Sequence, residues 1–398
     1  MTDSTDWRVD RHRIGRLRKR LLSWYHSCRR DLPWRRTDDP YRIWVSEIML
    51  QQTRVETTID YYERFVARFP TVGDLAKATQ DDVLKQWEGL GYYSRARNLH
   101  QAAKEIVDEG GQLPDFYDRL IDLPGIGPYT AAAVASIAFD RPHPVLDGNV
   151  QRVLCRMLRI EGDPRRTATR QELLAAGEKL MPSPAAMKKR TADDDDPGEG
   201  DPIEDGPGDV NQALMELGAQ VCTPRKPDCQ ACPVRSWCRA QAELDDPTTL
   251  PLKPPRRERP HVEVTAGVIW KENRLLLARR PPGGMLAGLW EFPGGKIEEG
   301  ETLAACLARE IREELAIEID VGEPLASVDH EYTHLSITLH ALQAHWRAGE
   351  PQTIGVDAWE WVTVEQLDDY AMPRADRRIL ERLAADGRPL EPDPAGPK

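Results

Sequence analysis

The sequence lacks a long apolar run. Its longest run of small and apolar residues, 131–139, is too short to cross a bilayer. No basic segment followed by an apolar one opens the chain, as it would in a secretory signal. We therefore expect a cytoplasmic protein with no membrane partner. A chain of 398 residues also exceeds what one hydrophobic core usually serves, which predicts two or three domains.

The chain also lacks an excess of positive charge, since its formal net charge is -12. The acid is concentrated in residues 191–209, which hold nine Asp and Glu and no Lys or Arg. Such a composition predicts a disordered surface insertion, at about 188–208. The segment 11–36 is instead rich in arginine, which is compatible with a phosphate-facing surface or with a solvated helix face. The net charge therefore does not exclude a nucleic-acid partner.

Hydrophobic periodicity divides the chain into an all-α part and an α+β part. Apolar residues recur at three- and four-residue spacing from residue 13 to about residue 186, which predicts helices. Residues 246–260 carry five prolines and are typical of a semi-rigid linker. After this linker, alternating runs predict strands around a helix at 302–315. We expect an α-helical domain at 11–245 and an α+β domain at 261–388.

Two acidic residues are candidates for breaking an N-glycosidic bond. That reaction needs a proton for the departing base and a negative charge beside an oxocarbenium-like sugar. Glu47 interrupts an apolar turn at 44–49, where burial would raise its pKa and keep a proton available. Asp147 stands in an Asp-Gly pair. Alone, Glu47 is also compatible with an exposed helix face, and Asp147 with an ordinary turn.

The segment 123–127, Leu-Pro-Gly-Ile-Gly, is a candidate phosphate-binding loop. Gly125 and Gly127 would let the backbone approach a ligand. A helix that starts at Pro128 would then offer free N–H groups to a DNA phosphate. A plain turn between two helices is the alternative.

Four of the seven cysteines are clustered in a C-x6-C-x2-C-x5-C pattern: Cys222, Cys229, Cys232 and Cys238. In a cytosolic chain such clustering indicates a metal site rather than disulfides. The spacing alone leaves structural zinc and an iron–sulfur cluster both open.

Taken together, the segments WVSEIMLQQT, GLGYYSRARN, LPGIGPYTA and VLDGNVQRVL resemble the helix-hairpin-helix DNA glycosylases, and the MutY adenine glycosylases among them. The resemblance covers about residues 20–240. It implies that the four cysteines hold a [4Fe-4S] cluster. It also implies that Glu47 protonates adenine and that Asp147 stabilises the sugar cation, with support from Tyr129 and Asn149.

The resemblance further implies which residues contact DNA. Gln52, Thr53, Leu90 and Tyr92 fall where the family inserts into the duplex around the base opposite adenine. Arg30, Arg35 and Gln212 fall near the adenine pocket. Related endonuclease III enzymes carry a nucleophilic lysine at the position of Tyr129, so the resemblance implies a monofunctional enzyme that leaves an abasic site.

A second motif lies in the α+β part. Residues 295–301 followed by 309–314 fit the Nudix pattern G-x5-E-x7-R-E-U-x-E-E. On a helix, Glu310, Glu313 and Glu314 would share one face and could hold Mg²⁺ against a pyrophosphate. Solubility alone is the other explanation for such a charged helix. The neighbouring LWEFPGG segment resembles MutT, the 8-oxo-dGTP pyrophosphohydrolase.

MutY enzymes usually end in a MutT-like domain that has lost these glutamates and reads 8-oxoguanine in DNA, whereas this chain has kept them. The segment Tyr332-Thr333-His334 is similar to the loop with which that family contacts 8-oxoguanine. Ala316 departs from the Nudix pattern, which has glycine there, at the end of the predicted helix. Asp376 lies where MutT has a base-reading asparagine.

The predicted protein is therefore multidomain: an all-α helix-hairpin-helix glycosylase with an iron–sulfur cluster loop, followed by an α+β Nudix domain. We expect a monomer, associated with the nucleoid if bacterial, that removes adenine opposite 8-oxoguanine or guanine in double-stranded DNA. Hydrolysis of 8-oxo-dGTP by the Nudix domain is a further hypothesis. The alternatives are a nucleotide hydrolase tethered to DNA and a lesion-binding module without enzymatic activity.

Overall fold

The structure, a computed structural model, describes residues 10–182, 206–252, 259–386 and 390. The predicted disordered insertion at about 188–208 lies outside these residues, except for 206–208. Part of the predicted linker also lies outside them. Within the described part of the chain, no helix is both long enough and apolar enough to cross a membrane.

Within the described ranges, the chain up to residue 245 is helical, as predicted. Its helices are α1 (Arg11–Cys28), α2 (Pro40–Leu50), α3 (Val55–Arg68), α4 (Val72–Lys77), α5 (Gln80–Trp87), α6 (Ser94–Asp108), α7 (Tyr117–Leu120), α8 (Pro128–Phe139), α9 (Gly148–Leu158), α10 (Thr167–Leu180), α11 (Pro207–Gln220) and α12 (Arg239–Glu243). The segment 121–127 joins α7 to α8 and forms the hairpin that the glycine pattern predicted.

The remainder forms a mixed sheet with two helices. Its elements are β1 (His261–Lys271), β2 (Arg274–Arg279), β3 (Trp290–Glu291), α13 (Leu303–Leu315), β4 (Glu318–Glu331), β5 (Ser336–Ala348), β6 (Ala358–Val362) and α14 (Arg374–Ala385). The strand order is β3-β2-β1-β5-β4, with β6 paired to β2. Strands β1 and β5 are parallel, and the other pairs are antiparallel. The predicted α+β class is confirmed.

Contacts between residues divide the chain into two compact units. The first comprises residues 1–67, 71–73 and 102–256, and the second comprises 68–70, 74–101 and 257–398. The unit that contains the sheet therefore also contains residues 74–101, which no sequence pattern indicated. The predicted domain limits, 11–245 and 261–388, remain predictions.

Small residues allow close helix packing in the first unit. Seven of the twelve residues of α8 are buried, and most of them are alanines. A side chain at Gly218 of α11 would overlap Asn149 at the start of α9, and one at Gly208 would overlap the backbone of α8. Helix α11 thus lies directly against the helices that carry the candidate site.

Buried apolar side chains hold both faces of the sheet in the second unit. On one face, Ile379 and Leu383 of α14 pack against strand residues. On the other face, Leu307, Ile311 and Leu315 of α13 do the same. Helix α13, which carries the Nudix glutamates, is therefore fixed against the sheet by its apolar face, and its charged face points away from the core.

Candidate active sites

A cavity of about 190 Å³ in the first unit brings together residues from five separate segments. The predicted site residues that line it are Glu47, Asp147, Tyr129, Asn149, Arg30, Arg35, Thr53 and Gln212. Glu47 comes from α2, Tyr129 from α8, and Asn149 from α9. The two candidate carboxyls, 100 positions apart in the sequence, therefore face one space.

Glu47 is buried, with 5% of its surface exposed. The Tyr129 hydroxyl donates a hydrogen bond of 2.7 Å to its Oε2 atom. Burial raises the pKa of Glu47 to about 7; the Tyr129 hydrogen bond opposes this rise, and the negative charge of Asp147 adds to it. A substantial fraction of Glu47 therefore carries a proton near neutral pH.

Asp147 is the N-cap of α9, where its Oδ1 accepts the Val150 N–H at 2.7 Å. Its Oδ2 accepts a hydrogen bond of 2.9 Å from the Asn149 side chain. Burial raises the pKa of Asp147, and these two hydrogen bonds oppose the rise. The segment 143–145, just before Asp147, is fixed by the buried Asn211 side chain. Asn211 accepts a hydrogen bond from the Val145 N–H and donates one to the His143 carbonyl. The carboxylate is thus held in one orientation by its neighbours.

One wall of the cavity is an ion-pair network that the sequence did not indicate. Glu216 of α11 is 1% exposed and pairs with Arg30 and Arg35, each at 2.8 Å. Despite its burial, these two arginines lower the pKa of Glu216 to about 2. The Gln212 side chain, one turn earlier, accepts from the Tyr25 hydroxyl at 3.2 Å. The sequence did contain a signal for this network, because Glu216 lies one turn after the predicted site residue Gln212 on the same helix.

The other predicted DNA-contacting residues of the helical part lie outside this cavity. Gln52 is exposed and has a φ of 57°, just after α2. Gly125 has a φ of 76°, and Gly127 is the N-cap of α8, where no side chain caps the helix. Leu90 and Tyr92 belong to the second compact unit.

The four clustered cysteines line one small cavity of about 30 Å³ in the first unit. Within the described ranges, no group of three or more His, Cys, Asp or Glu side chains is close enough to hold a single metal ion. Four cysteine side chains are a donor set that suits an iron–sulfur cluster as well as a structural zinc ion.

Two buried arginines tie the cysteine segment to α9. Arg156 donates to Cys222 Sγ at 3.4 Å and to the Thr223 carbonyl at 2.8 Å. Arg152 donates to the Cys222 carbonyl at 2.7 Å and to Asn149 Oδ1 at 2.8 Å. Since Asn149 contacts Asp147, hydrogen bonds run continuously from the cysteine segment to the candidate site. Neither arginine was among the predicted site residues.

The second unit contains a larger cavity, of about 480 Å³, which we call the Nudix cavity. Glu310 and Glu314 line it, together with Arg280, Glu291 and Asp376. Burial and the nearby charges of Glu310 and Glu291 raise the pKa of Glu314 to about 7. Asp376 is buried and accepts the Phe292 N–H at 3.1 Å. Several carboxyls thus share one space, an arrangement that a divalent cation would stabilise.

Arg309 fixes the loop of the Nudix motif to its helix. It forms a bidentate pair with Glu301 and also contacts Glu310 at 3.0 Å and Glu313 at 3.2 Å. A side chain at Gly295 would overlap the Glu310 carboxylate. Glu313 is more than half exposed and is not among the residues that line the cavity. The structure therefore brings together two of the three predicted metal ligands.

A further cavity, of about 360 Å³, contains Tyr332, Thr333 and His334 in its lining, and we call it the loop cavity. Tyr92 lines it too, and its hydroxyl is hydrogen-bonded to the Thr333 hydroxyl. Residues 89–97 and 330–334 thus face each other within the second unit. The sequence predicted a role in DNA contact for both segments but not that they would meet.

Three segments of the chain match known protein families. Residues 45–179 match the HhH-GPD superfamily of base excision DNA repair proteins. Residues 222–238 match the iron–sulfur binding domain of endonuclease III, and residues 265–382 match the NUDIX domain. With the helical fold, the cysteine cavity and the sheet domain, these matches define the class: an iron–sulfur DNA glycosylase that carries a Nudix domain.

Individual relatives narrow this class. The chain is 36% identical to the adenine DNA glycosylase of Rattus norvegicus, over 92% of this chain and 78% of the rat protein. It is 35% identical to that of Homo sapiens, over 92% of this chain and 74% of the human protein. With the adenine DNA glycosylase of Buchnera aphidicola it shares 32% identity, over 91% and 96% of the two chains. The chain belongs to the adenine DNA glycosylase family.

Proposed function

We propose that the cavity around Glu47 removes adenine mispaired with 8-oxoguanine or guanine. The observation that supports this most directly is the pairing of a protonated acid with a fixed carboxylate. Glu47 has a pKa of about 7, and Asp147 is held by Val150 and Asn149. A general acid and a stabiliser of positive charge are the two groups that cleavage of an N-glycosidic bond needs.

The chemistry follows from these positions. Glu47 donates its proton to the departing adenine as the glycosidic C–N bond breaks and its electron pair moves to the base. Asp147 stabilises the positive charge that develops on the sugar. Water then attacks the sugar carbon, and its proton returns to the Glu47 carboxylate. The products are free adenine and an abasic site, without a Schiff-base intermediate at position 129, where the side chain is a tyrosine and not a lysine.

The basic wall gives the site a means of holding its substrate. Arg30 and Arg35 lie at the cavity, and Glu216 fixes their orientation. A base that enters must leave the duplex stack, which costs a few kcal/mol and costs less at a mismatch. Part of the selectivity for mispaired adenine thus comes from the DNA itself.

The four cysteines, Cys222, Cys229, Cys232 and Cys238, would hold a [4Fe-4S] cluster. Such a cluster, when bound, would supply a rigid cross-link between residues 222 and 238. Arg152 and Arg156 would connect this segment to α9 through the hydrogen bonds described above. We therefore assign the cluster a structural role beside the active site.

The test is the release of adenine under single-turnover conditions from a duplex that carries adenine opposite 8-oxoguanine. We expect free adenine, with strand cleavage only after alkali. Glu47→Gln should lose release, and Glu63→Gln, an exposed glutamate of α3, should keep it. Tight duplex binding without any release by the unmodified protein would instead favour a lesion-binding module.

The Nudix cavity supports a second proposed activity, hydrolysis of 8-oxo-dGTP to the monophosphate and pyrophosphate. The supporting observation is that Glu310 and Glu314 face a cavity of nucleotide size, with Arg280 and Lys296 in its lining. Glu310 and Glu314 would hold Mg²⁺, and water would attack the triphosphate. The arginine and lysine would bind the phosphates.

Pyrophosphate release with Mg²⁺ tests this activity. Glu314→Gln should abolish it, and Glu299→Gln, an exposed glutamate of the motif loop, should not. No turnover in the unmodified protein would leave lesion reading in DNA as the role of the domain. With or without that turnover, Tyr332, Thr333 and His334 would contact the 8-oxoguanine base, with Leu90 and Tyr92 inserted beside it.

A further inference from the structure

The Nudix cavity and the loop cavity share a wall. Met285, Leu286 and Tyr332 line both cavities. All three residues, and both cavities, belong to the second compact unit. A ligand that displaces one of these side chains in one cavity therefore changes the lining of the other.

The segment that supplies two of the wall residues is held in an unusual conformation. Leu286 has a φ of 62°, in the left-handed region that disfavours residues with a side chain. Gly283 and Gly288 flank it, with φ values of 91° and 76°. Backbone strain of this kind is found in segments that have two accessible arrangements. Leu286 thus marks a place where the wall can change conformation.

Arg280 connects the wall to the interior of the Nudix cavity. Its Nε donates to the Met285 carbonyl at 3.0 Å, and its Nη1 pairs with Glu291 at 2.8 Å. An anionic ligand in the cavity would compete for the same guanidinium group. Such a ligand would therefore act directly on the hydrogen bond that holds the wall.

On the opposite side, the wall contacts the segment that contains Tyr92. Arg97 donates to the Ala287 carbonyl at 2.7 Å. Thr333, next to Tyr332, is hydrogen-bonded to the Tyr92 hydroxyl. Tyr92 is 41% exposed and has a φ of 49°. Displacement of the wall would therefore reach a residue that we propose to contact DNA.

The residues of the Nudix cavity indicate the class of ligand. Phe292 and Tyr332 offer aromatic surface to a base, and Arg280 and Lys296 offer positive charge to phosphates. Asp376 is positioned by the Phe292 N–H and lines the cavity, so it can bond to the edge of a base. A purine nucleoside triphosphate with a divalent cation satisfies all of these groups at once.

We propose that a purine nucleoside triphosphate bound in the Nudix cavity weakens the binding of lesion-containing DNA, because both ligands use the wall formed by Met285, Leu286 and Tyr332. This inference rests on the proposed nucleotide site but not on its hydrolytic activity. Since coupling between two binding sites is reciprocal, lesion DNA must weaken nucleotide binding by the same factor. The binding of lesion DNA by this protein would then depend on the concentration of purine nucleoside triphosphates.

The test uses the full-length protein and two equilibrium measurements. The first is the Kd for a duplex in which a non-cleavable 2′-fluoro adenosine lies opposite 8-oxoguanine, by fluorescence anisotropy. It is measured with Mg²⁺ and with or without a saturating dGTP analogue that has an imido bridge between its α and β phosphates. We expect the duplex Kd to rise about tenfold, within the usual range of coupling between sites. The second is the Kd of the analogue by calorimetry, which should rise by the same factor when the duplex is present.

Two controls separate coupling from charge effects and from misfolding. NaCl added with Mg²⁺ to the ionic strength of the analogue solution should leave the duplex Kd within twofold. Leu286→Gly should bring the coupling factor toward one, because it removes a shared side chain and relieves the left-handed strain. Ile354→Ala, an exposed residue of the same unit outside both cavities, should keep the full factor.

Each outcome decides the inference. An analogue that binds without changing the duplex Kd overturns the coupling and leaves the nucleotide site in place. An analogue that does not bind overturns both the nucleotide site and the coupling. A tenfold effect that the matched salt reproduces, or that Leu286→Gly leaves unchanged, also overturns the role of the shared wall.

Discussion

The cavity around Glu47 and the Nudix cavity both contain buried carboxyls, but they differ in how these carboxyls are supported. In the first, each carboxyl has its own donor: Tyr129 for Glu47, and Asn149 with Val150 for Asp147. In the second, Glu310, Glu314, Glu291 and Asp376 share one space with Arg280 as the central cation. In the first site the hydrogen bonds position one carboxyl to donate a proton and the other to stabilise a positive charge. The Nudix cavity instead holds four carboxyl side chains and only two cationic ones, Arg280 and Lys296.

This difference makes the first site the more complete of the two in the isolated protein. Preorganised groups require no rearrangement when charge develops during reaction. A cluster of carboxyls in a low-dielectric space is instead unfavourable until a cation binds. Substitutions in the first site should therefore act on the rate of excision, and those in the second should act on metal and nucleotide binding.

The largest expected effect is that of Glu47→Gln on adenine release. The glutamine keeps the shape of the side chain but cannot donate an acidic proton, so the single-turnover rate should fall by roughly 10³–10⁴. Quenched single-turnover kinetics on the 8-oxoguanine duplex measure it. A loss of less than tenfold would mean that a group other than Glu47 supplies the proton. The first site would then not be preorganised for proton donation, as the comparison with the Nudix cavity assumes.

Asp147→Asn should have the next largest effect. An ionised carboxylate about 4 Å from the sugar cation contributes about 4 kcal/mol at an effective dielectric near 20, or about a thousandfold in rate. Asparagine retains an acceptor for the Val150 N–H, so the start of α9 should persist. The circular dichroism spectrum and the duplex Kd serve as controls, and a change in Kd with an unchanged rate would contradict the proposed role.

The pH dependence tests the protonation of Glu47 directly. Its pKa is raised to about 7, so the excision rate should fall about tenfold per pH unit well above pH 7. At low pH the rate should fall again as Asp147, whose pKa is also raised by burial, takes up a proton. Stability should also change with pH. The folded state binds this proton more tightly than the unfolded state, so the free energy of unfolding should decrease as the pH rises from 4.5 through 7, by roughly 3 kcal/mol in all.

Glu47→Gln provides the control for that decrease, because it removes the titrating group. The variant should be more stable than the unmodified protein at pH 8 and about equally stable at pH 4, by urea denaturation. An excision rate that rises as the pH passes through 7 would show that Glu47 acts in its ionised form.

Mg²⁺ should stabilise the second unit and leave the first unaffected. Binding at 100 times the Kd would add about 2.7 kcal/mol to the free energy of unfolding. Glu314→Gln should greatly reduce this gain, and Glu47→Gln should retain it. Thermal denaturation with and without Mg²⁺ measures the difference. An equal gain in both variants would place the metal elsewhere.

Ala316→Gly should give the smallest effect, a stabilisation of about 0.5–1 kcal/mol. Ala316 ends α13 with a φ of 57°, a left-handed conformation that glycine adopts without strain. The matched control is Ala304→Gly, on the exposed part of the same helix, which should lose about as much because glycine is a poor helix residue. Stabilisation by both substitutions would contradict the role of the left-handed end.

The sequence alone determined the class of each half of the chain. Period and composition predicted helices before residue 245 and a sheet domain after residue 261, and the structure confirms both classes. Short motifs can be recognised without the fold because each depends on residues close together in the sequence. Gly125 and Gly127 in the segment 123–127, and the Nudix pattern at 295–314, are of this kind.

Only the tertiary structure decided what these local motifs face. Glu47 and Asp147 come from helices that no local pattern relates, and their pKa values depend on burial by α8 and α11. Glu216, Arg152 and Arg156 were missed because a charged residue on a helix is usually exposed, and its burial depends on packing from distant segments. The contact between Tyr92 and Thr333 joins positions 241 residues apart. Sequence period fixes which face of a helix or strand is apolar, whereas the proximity of distant polar groups is a property of the whole packing arrangement.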